Sequence, residues 1–373
     1  MNILIFSWRD PKHPMAGGAE QSVHEHAKGW IAAGHQVILF SSYFKNCLKE
    51  ENLDGIHIIR QGDQLLGVQI AAFFWYVFKR QEKFDLVIDC FHGIPFFTPF
   101  FVRTRKLALI QEVAREVWFL NHLPKPFNFI VGAVGFILEP LIFLFYTHVS
   151  FMTGSNSAKA DLIKFGIPAK NITVVPHGVI INFSKKLPAK EKIKTITFLG
   201  TLARDKGIED AIRAFGILHR DGKFNFWVLG SGTKEYVVFL KKLSSNLGID
   251  KEIKFFGFVS EKEKFSRLAR SHILINPSIR EGWGLVNIEA NRMGTPVVAY
   301  RSPGLVDSVR DGKSGVLCEE NTPASLANNI LDIVGNNAFY TKLCKNAVTW
   351  SKTFNWNKSK SLSLNLIKRL VRI

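Results

Sequence analysis

A chain of 373 residues with 47% apolar and 21% charged side chains is too long for one ordinary core and too apolar to be disordered, so two globular domains are expected. The formal charge of +18 is uneven: residues 1–180 hold 17 Lys and Arg against 14 Asp and Glu, whereas residues 181–373 hold 32 against 17. Charge alone admits nucleic acid, an anionic membrane or a phosphorylated small molecule, but no zinc-finger spacing or aromatic ribonucleoprotein signature supports nucleic acid as a partner. Four scattered cysteines without a C-x-x-C pair argue against a disulfide framework or zinc site and suit reduced thiols in the cytoplasm.

The opening "MNILIFSW" has neither a basic leader nor a small-residue cleavage site and reads as a first strand. "MAGGAE", residues 15–20, separates it from the helical "EQSVHEHAKGWIAAG". Gly17 and Gly18 there either let the backbone approach a ligand or form an ordinary tight turn. The strand-like "QVILFS", "FDLVID", "LALIQEV" and "VSFMTGS" alternate with helical stretches, the mark of a parallel sheet covered on both faces. Phe-rich segments, "AAFFWYVF" and "IPFFTPFF", lie between them. "FIVGAVGFIL", 129–138, is interrupted by Glu139 and Pro140 short of the roughly 20 apolar residues of a membrane span. It is expected as a helix packed in the fold. Core packing and an apolar groove or membrane-facing patch both account for these aromatics.

The polar "SKKLPAKEKIK", 184–194, reads as a linker, after which the alternation restarts with "TITFLG", "GIEDAIRAFGILHR", "FNFWVLG", "IKFFGFV", "HILINPS" and "TPVVAY". Two doubly wound domains follow, with ligand loops at the carboxyl ends of the strands. Arg204 and Lys206 lie in one such loop, "FLGTLARDKG", as phosphate-binding charges or as solvated side chains. "REGWGLVNIEANRMGTPVVAY", 280–300, sets Glu281 and Glu289 around a glycine turn that enters a helix. A helix N-terminus favours an anion, and a carboxylate beside it accepts hydrogen bonds from hydroxyls, so a phosphate-linked, hydroxyl-rich ligand is implied. A glycosidase pair is the alternative. Its carboxylates would be about 5 to 9.5 Å apart, whereas eight helical residues span about 12 Å.

In their order these motifs resemble the retaining, nucleotide-sugar-dependent glycosyltransferases of family 4, most specifically through "EGWGLVNIEANRMGTPVVA", with "VVPHGV", "FLGTLARDKG", "LGSGTKEYVVFLKK" and "FFGFVSEKEK" before it and "SPGLVDSVRDGKSGVL" after it. "DPKHPMAGGAEQSVHEHAKGWIAAGHQV" is similar to the family's first strand, glycine loop and helix. The resemblance implies an α/β GT-B fold of two Rossmann-like doubly wound parallel-sheet domains facing across a cleft. Expected boundaries are 1–183 for the acceptor side, 184–355 for the nucleotide sugar, and 356–373 for a helix packing back on the first domain. Glu281 would hold donor-sugar hydroxyls, Glu289 the ribose hydroxyls, and Lys206 with Arg204 the diphosphate. The amides of Gly284 and Leu285 would meet sugar or phosphate, Gly17 and Gly18 would close over the reacting centre, and Phe258 and Val259 would contact the base. No metal or other cofactor is expected. The acceptor is a hydroxyl compound, with a lipid-linked one at the inner face of the membrane as the sharper expectation.

Two positions depart from the family pattern. Thr201 stands where relatives carry Arg, and Gln111 where they often carry His, with His92 and His177 as candidate replacements. These departures keep open a non-catalytic nucleotide-sugar-binding subunit. A dinucleotide-dependent oxidoreductase is a further alternative without the expected G-x-G-x-x-G.

Overall fold

The computed structural model describes residues 1–64, 66–80, 83–91, 93–121, 123–180 and 187–372, with Asp221 described by its backbone alone. It divides into two compact units, Met1–Gly178 with Asn355–Ile373, and Val179–Phe354. The expected boundary at 183/184 lies outside the described residues.

The first unit begins with β1 (Asn2–Phe6), α1 (Gly18–Ala32), β2 (Gln36–Ser41), β3 (Glu50–Leu53) and β4 (Ile56–Arg60). It continues with α2 (Leu66–Phe74), which runs into a π-helical turn at Trp75–Lys79, then β5 (Leu86–Phe91), β6 (Arg105–Ile110), α3 (Phe127–Leu144), β7 (Ser150–Thr153), α4 (Asn156–Lys164) and β8 (Ile172–Val174). The sheet order is β3-β4-β2-β1-β5-β6-β7-β8, parallel except for β3 against β4. Its central strands are apolar on both faces because helices cover both, whereas the edge strand β3 is polar and partly exposed. Along β1, Ile3 and Ile5 pack with Val23, Ala27 and Trp30 of α1, while Leu4 and Phe6 pack with Phe40, Val68, Tyr76 and Phe96. Strand order reverses between β1 and β5, so the loops after these strands open at the switch point.

Helix α3 differs from expectation in two ways. It continues through Glu139 and Pro140 to Leu144, because Glu139 is turned inward. Its carboxylate accepts hydrogen bonds from the backbone N–H groups of Ala114 and Arg115 and from Trp118 Nε1 at 2.6, 2.8 and 3.2 Å. Nor is α3 a core helix: only Asn128, Gly132, Glu139 and Phe143 of it are buried. The Phe-rich segments divide similarly, with Phe96 in the core and Phe100 exposed.

The second unit contains β9 (Lys194–Leu199), α5 (Ile208–Asp221), β10 (Phe224–Leu229), α6 (Lys234–Asn246), β11 (Ile253–Gly257), α7 (Glu261–Arg270) and β12 (Ile273–Asn276). After these come α8 (Leu285–Arg292), β13 (Val297–Ala299), α9 (Leu305–Ser308), β14 (Gly315–Leu317), α10 (Pro323–Gly335) and α11 (Asn337–Ser351). Its sheet is parallel throughout, in the order β11-β10-β9-β12-β13-β14. The reversal falls between β9 and β12, which places the loops after these two strands side by side. Helix α5 buries Ile208, Ala211, Ile212, Phe215 and Leu218, a stripe of helical period, against this sheet. The last helix, α12 (Trp356–Arg372), belongs to the first unit. There Ser363 Oγ accepts from Trp30 Nε1 of α1 at 3.1 Å, and Lys360 pairs with Glu25 at 2.7 Å.

Candidate functional site

In the second unit the two switch-point loops are fastened together. Gly207 ends the turn Arg204–Lys206 at φ +69°, and a Cβ there would lie 2.1 Å from the carbonyl oxygen of Pro277, just past β12. Only glycine permits both the left-handed backbone and that approach. The Ile279 N–H donates to the Asp205 carbonyl at 2.9 Å, closing the same seam. Lys206 and Glu281, 75 residues apart, are thereby brought to 3.0 Å (Nζ to Oε1), and Ser278 Oγ donates to the same carboxylate oxygen at 2.9 Å. Both side chains keep about a fifth of their surface in solvent, 24% and 20%, so the pair is open to a ligand. Arg204 begins the same turn and is exposed, as is Thr201.

Gly284 is the N-cap of α8 at φ +75°, with Asn287 Nδ2 and Ser308 Oγ 2.9 Å from where a Cβ would stand. The helix therefore begins at Leu285, with its N-terminal dipole end at the turn that carries Glu281. Glu289 sits one turn into α8. Its Oε1 accepts from Lys264 Nζ of α7 at 2.7 Å, and Lys264 also pairs with Glu261 at 2.7 Å. Burial raises the pKa of Glu289 despite the ammonium beside it. Burial also works against the charge on Lys264, but Glu289 and Glu261 outweigh it and hold its pKa above the usual value. Phe258 and Val259 follow β11, where Phe258 is 86% exposed.

In the first unit a small pocket lies at the sheet's switch point, lined by Trp8, Glu20, Cys90, Phe91 and Gln111 among others. Gly17 caps α1, and its N–H donates to Glu20 Oε2 at 2.7 Å. Its backbone is extended (φ −138°), and a Cβ would meet only that oxygen at 3.9 Å. The chain's own packing therefore does not demand glycine at 17. Gly18 opens α1 itself. The loop before it is anchored by Asp10, which accepts from Arg60 Nε and Nη2 at 2.7 and 2.9 Å, while Arg60 Nη1 donates to Glu51 at 2.7 Å. Burial opposes the Asp10 charge, but the Arg60 guanidinium wins and lowers its pKa. Gln111 Oε1 accepts from His177 Nε2 at 2.8 Å, and His177 Nδ1 lies 2.8 Å from Ser22 Oγ. Burial lowers the pKa of His177 to about 4, so the imidazole is neutral. With its proton on Nε2, Nδ1 accepts from the serine hydroxyl. His177 thus orients Gln111 from behind; His92 lies outside the described residues.

Sequence reasoning missed Lys264, Ser278, Glu20 and the Asp10–Arg60 anchor. Lys264 was legible only as one of two lysines in "SEKEK"; its partner lies 25 residues away on another helix. Among the described residues, no group of three or more His, Cys, Asp or Glu is placed to hold a metal ion.

Comparison with known proteins adds to this geometry. Residues 16–183 match the family Glycosyltransferase Family 4, and residues 179–350 match Glycosyl transferases group 1. An uncharacterized glycosyltransferase of Methanocaldococcus jannaschii is 23% identical over 99% of this chain and 98% of that protein. Sucrose-phosphate synthase from Thermosynechococcus elongatus superposes with a TM-score of 0.78 at 19% identity, covering 99% of this chain and 98% of that one. Anabaena HepE, solved with UDP and glucose, superposes with a TM-score of 0.74 at 17% identity, covering 99% of this chain and all of that one. These likenesses place the two parallel-sheet units in the GT-B fold class.

Proposed function

Because the chain belongs to the glycosyltransferases of family 4, we propose that it moves a hexosyl group from a nucleoside diphosphate sugar to an acceptor hydroxyl with the anomeric configuration retained. The observation that carries this reading is the Lys206–Glu281 pair at the switch point of the second sheet, beside the N-terminus of α8. A cation and a helix dipole suit a diphosphate, and a carboxylate between them suits sugar hydroxyls. HepE, with its bound UDP and glucose, is a precedent for that ligand class.

As the bond from C1 to the β-phosphate oxygen breaks, negative charge grows on the leaving diphosphate. Lys206, Arg204 and the α8 amides at Gly284 and Leu285 stabilise it. The acceptor oxygen bonds to C1 from the same face, and its proton passes to the departing phosphate oxygen, so the products are the glycoside and a nucleoside diphosphate. Glu281 holds the sugar hydroxyls, Glu289 the ribose hydroxyls, and Phe258 and Val259 the base. Gly17 and Gly18 lend backbone to the acceptor loop, and Glu20 and Gln111 line the acceptor pocket. Lys206 and the helix dipole supply the positive charge that a divalent ion brings elsewhere, so turnover is proposed to persist in EDTA. The acceptor is lipid-linked and is met at the inner face of the membrane by a cytoplasmic protein.

The test incubates the purified protein with a panel of nucleoside diphosphate sugars and follows its thermal stability and the release of nucleoside diphosphate, with and without EDTA. Ligand binding to the folded state raises Tm. A donor that stabilises the protein and is consumed supports the reading, and proton couplings of the product's anomeric centre report retention. No stabilisation and no turnover with any donor overturns it.

A further inference from the structure

Two helices of the first unit turn apolar faces outward, and aromatic rings join them. On α2 and its π-helical extension, Ile70, Phe74 and Phe78 are exposed, Phe78 by 71%. On α3, Ile137 is 64% exposed, and more than half the surface of Ile130 and Leu144 is also uncovered. Phe73 lies 5.2 Å from Phe101, and the next ring in sequence, the 64% exposed Phe100, lies 4.9 Å from Phe145 at the end of α3. The turn at Phe100 and Phe101 therefore touches α2 with one ring and the end of α3 with the other.

The cations that flank this face outnumber the acids, of which Asp63 before α2 and Asp85 before β5 are exposed. The segments 66–79 and 127–144 contain a single acidic residue, Glu139, and that one is buried against the turn at Ala114 and Arg115. The exposed cations Lys79 and Arg80 end the first segment, Arg103 and Arg105 follow Phe101, and Lys125 precedes α3 with its Nζ 5.8 Å from the Phe129 ring. Basic residues in excess beside two segments whose one acid is buried suit anionic headgroups, and long cationic side chains reach past apolar surface to phosphate. A protein partner of ordinary interface chemistry would ask for roughly one hydrogen bond per 100–200 Å², and the outward side chains of α3 offer no polar atom.

Among the described residues α3 alone is long and apolar enough to cross a bilayer by length and composition. Crossing would pull Glu139 from the donors of Ala114, Arg115 and Trp118 and strip Gly132 and Gly135 from Phe119 and Trp118, against which they are closely packed. A carboxylate at mid-helix in hydrocarbon is costly, so α3 stays docked and lies along the surface.

We infer that the face formed by α2 with its π-helical extension, Phe100 and the outer side of α3 is a bilayer-docking surface that seats the first unit in the headgroup region of an anionic membrane. The inference rests on the proposed lipid-linked acceptor and gives it a physical route: an acceptor hydroxyl carried at the headgroup level is presented to the first unit without leaving the membrane.

The test is co-sedimentation of the full chain with vesicles of phosphatidylcholine and phosphatidylglycerol at low and moderate salt, beside the double variant Phe78→Glu, Ile137→Glu. Both positions point into solvent, so folding is expected to be unchanged, which circular dichroism and Tm check. The wild type is expected to pellet with anionic vesicles, less so as salt rises, and the variant to partition at least about tenfold more weakly. Wild type left in the supernatant at low salt, or a variant that pellets equally well, overturns the inference. It is also overturned if the wild type, unlike the variant, self-associates in light scattering and ignores vesicles, since the face then joins two copies. Hydrolysis of the nucleotide sugar in solution, measured in parallel on both proteins, reports on the transferase reading by itself, so the two readings fail separately.

Discussion

Lys264 donates to Glu289 across 2.7 Å from one helix of the second unit to the next, so the carboxylate proposed to take the ribose hydroxyls is already engaged with a cation. The two side chains are only 14% and 15% exposed, and each offsets the cost of burying the other.

Replacing Glu289 by Ala removes a charged acceptor worth about 1.5–3 kcal/mol, and nucleotide Kd should rise about ten- to hundredfold by calorimetry. Lys264→Met should instead leave Glu289 buried without its counter-charge and push its pKa higher. Nucleotide affinity in that variant should fall more steeply than in wild type as the pH drops. Unchanged affinity in Glu289→Ala would remove Glu289 from the nucleotide site.

Lys206 answers to a different stage of the reaction. Charge on the leaving diphosphate grows toward the transition state, so Lys206→Ala should lower kcat by about 10²-fold or more with a small change in KM. Steady-state kinetics decide this. A loss confined to KM would mean that Lys206 contributes equally to ground state and transition state.

The seam between the loops after β9 and β12 predicts that Gly207→Ala is severe. The added Cβ meets a backbone carbonyl at 2.1 Å at a left-handed position, and the loop that carries Lys206 must shift. Stability should drop by about 2 kcal/mol or more, with turnover lost alongside it. Denaturant titration of the variant measures the first effect. A variant as stable and active as wild type would show that the seam is not needed.

The sequence made the sheet strands legible because parallel strands buried on both faces read as continuous apolar runs, as within "MNILIFSW" and "QVILFS". Glu281, Gly284 and Glu289 were legible for a local reason: a glycine turn entering a helix is written in consecutive residues. Lys264 was not, since its meeting with Glu289 depends on how α7 and α8 pack. The Phe-rich segments left core and surface undecided. Phe96 and Phe100 are four residues apart in similar company, and only the 3-10 turn at Thr98–Phe100 sends one ring inward and the other out. Glu139 and Pro140 interrupt the apolar run, but Glu139 is fixed to the turn at Ala114 and Arg115, and α3 runs on through both.

Two buried histidines of the first unit set its behaviour in acid. Burial lowers the pKa of His177 to about 4; burial first, and then repulsion from a protonated His177 and from Lys360, lower that of His26 to about 3. The ordinary value is 6.5. In this pH range the unfolded chain binds protons that the native fold refuses, so native stability rises with pH. The contribution is fully present above pH 6.5 and is lost as the pH falls from there toward 4. One pKa unit is about 1.4 kcal/mol, so each histidine accounts for about 3 kcal/mol across that window. Asp10, with its lowered pKa, acts only below the carboxylate range; His13 and His35, also lowered by burial, add in the same sense as the two imidazoles, and Asp89, which burial raises, in the opposite one. Denaturant midpoints taken at pH 7, 6 and 5 should therefore fall progressively for wild type. His177→Gln keeps an amide near Ser22 and Gln111 but cannot take up a proton, so its stability should depend on pH with a slope smaller by up to one proton. A wild-type midpoint that is flat between pH 7 and 5, or an unchanged slope in His177→Gln, would mean that His177 is not held as a buried neutral imidazole. Its tautomer-specific orientation of Gln111 would fall with it.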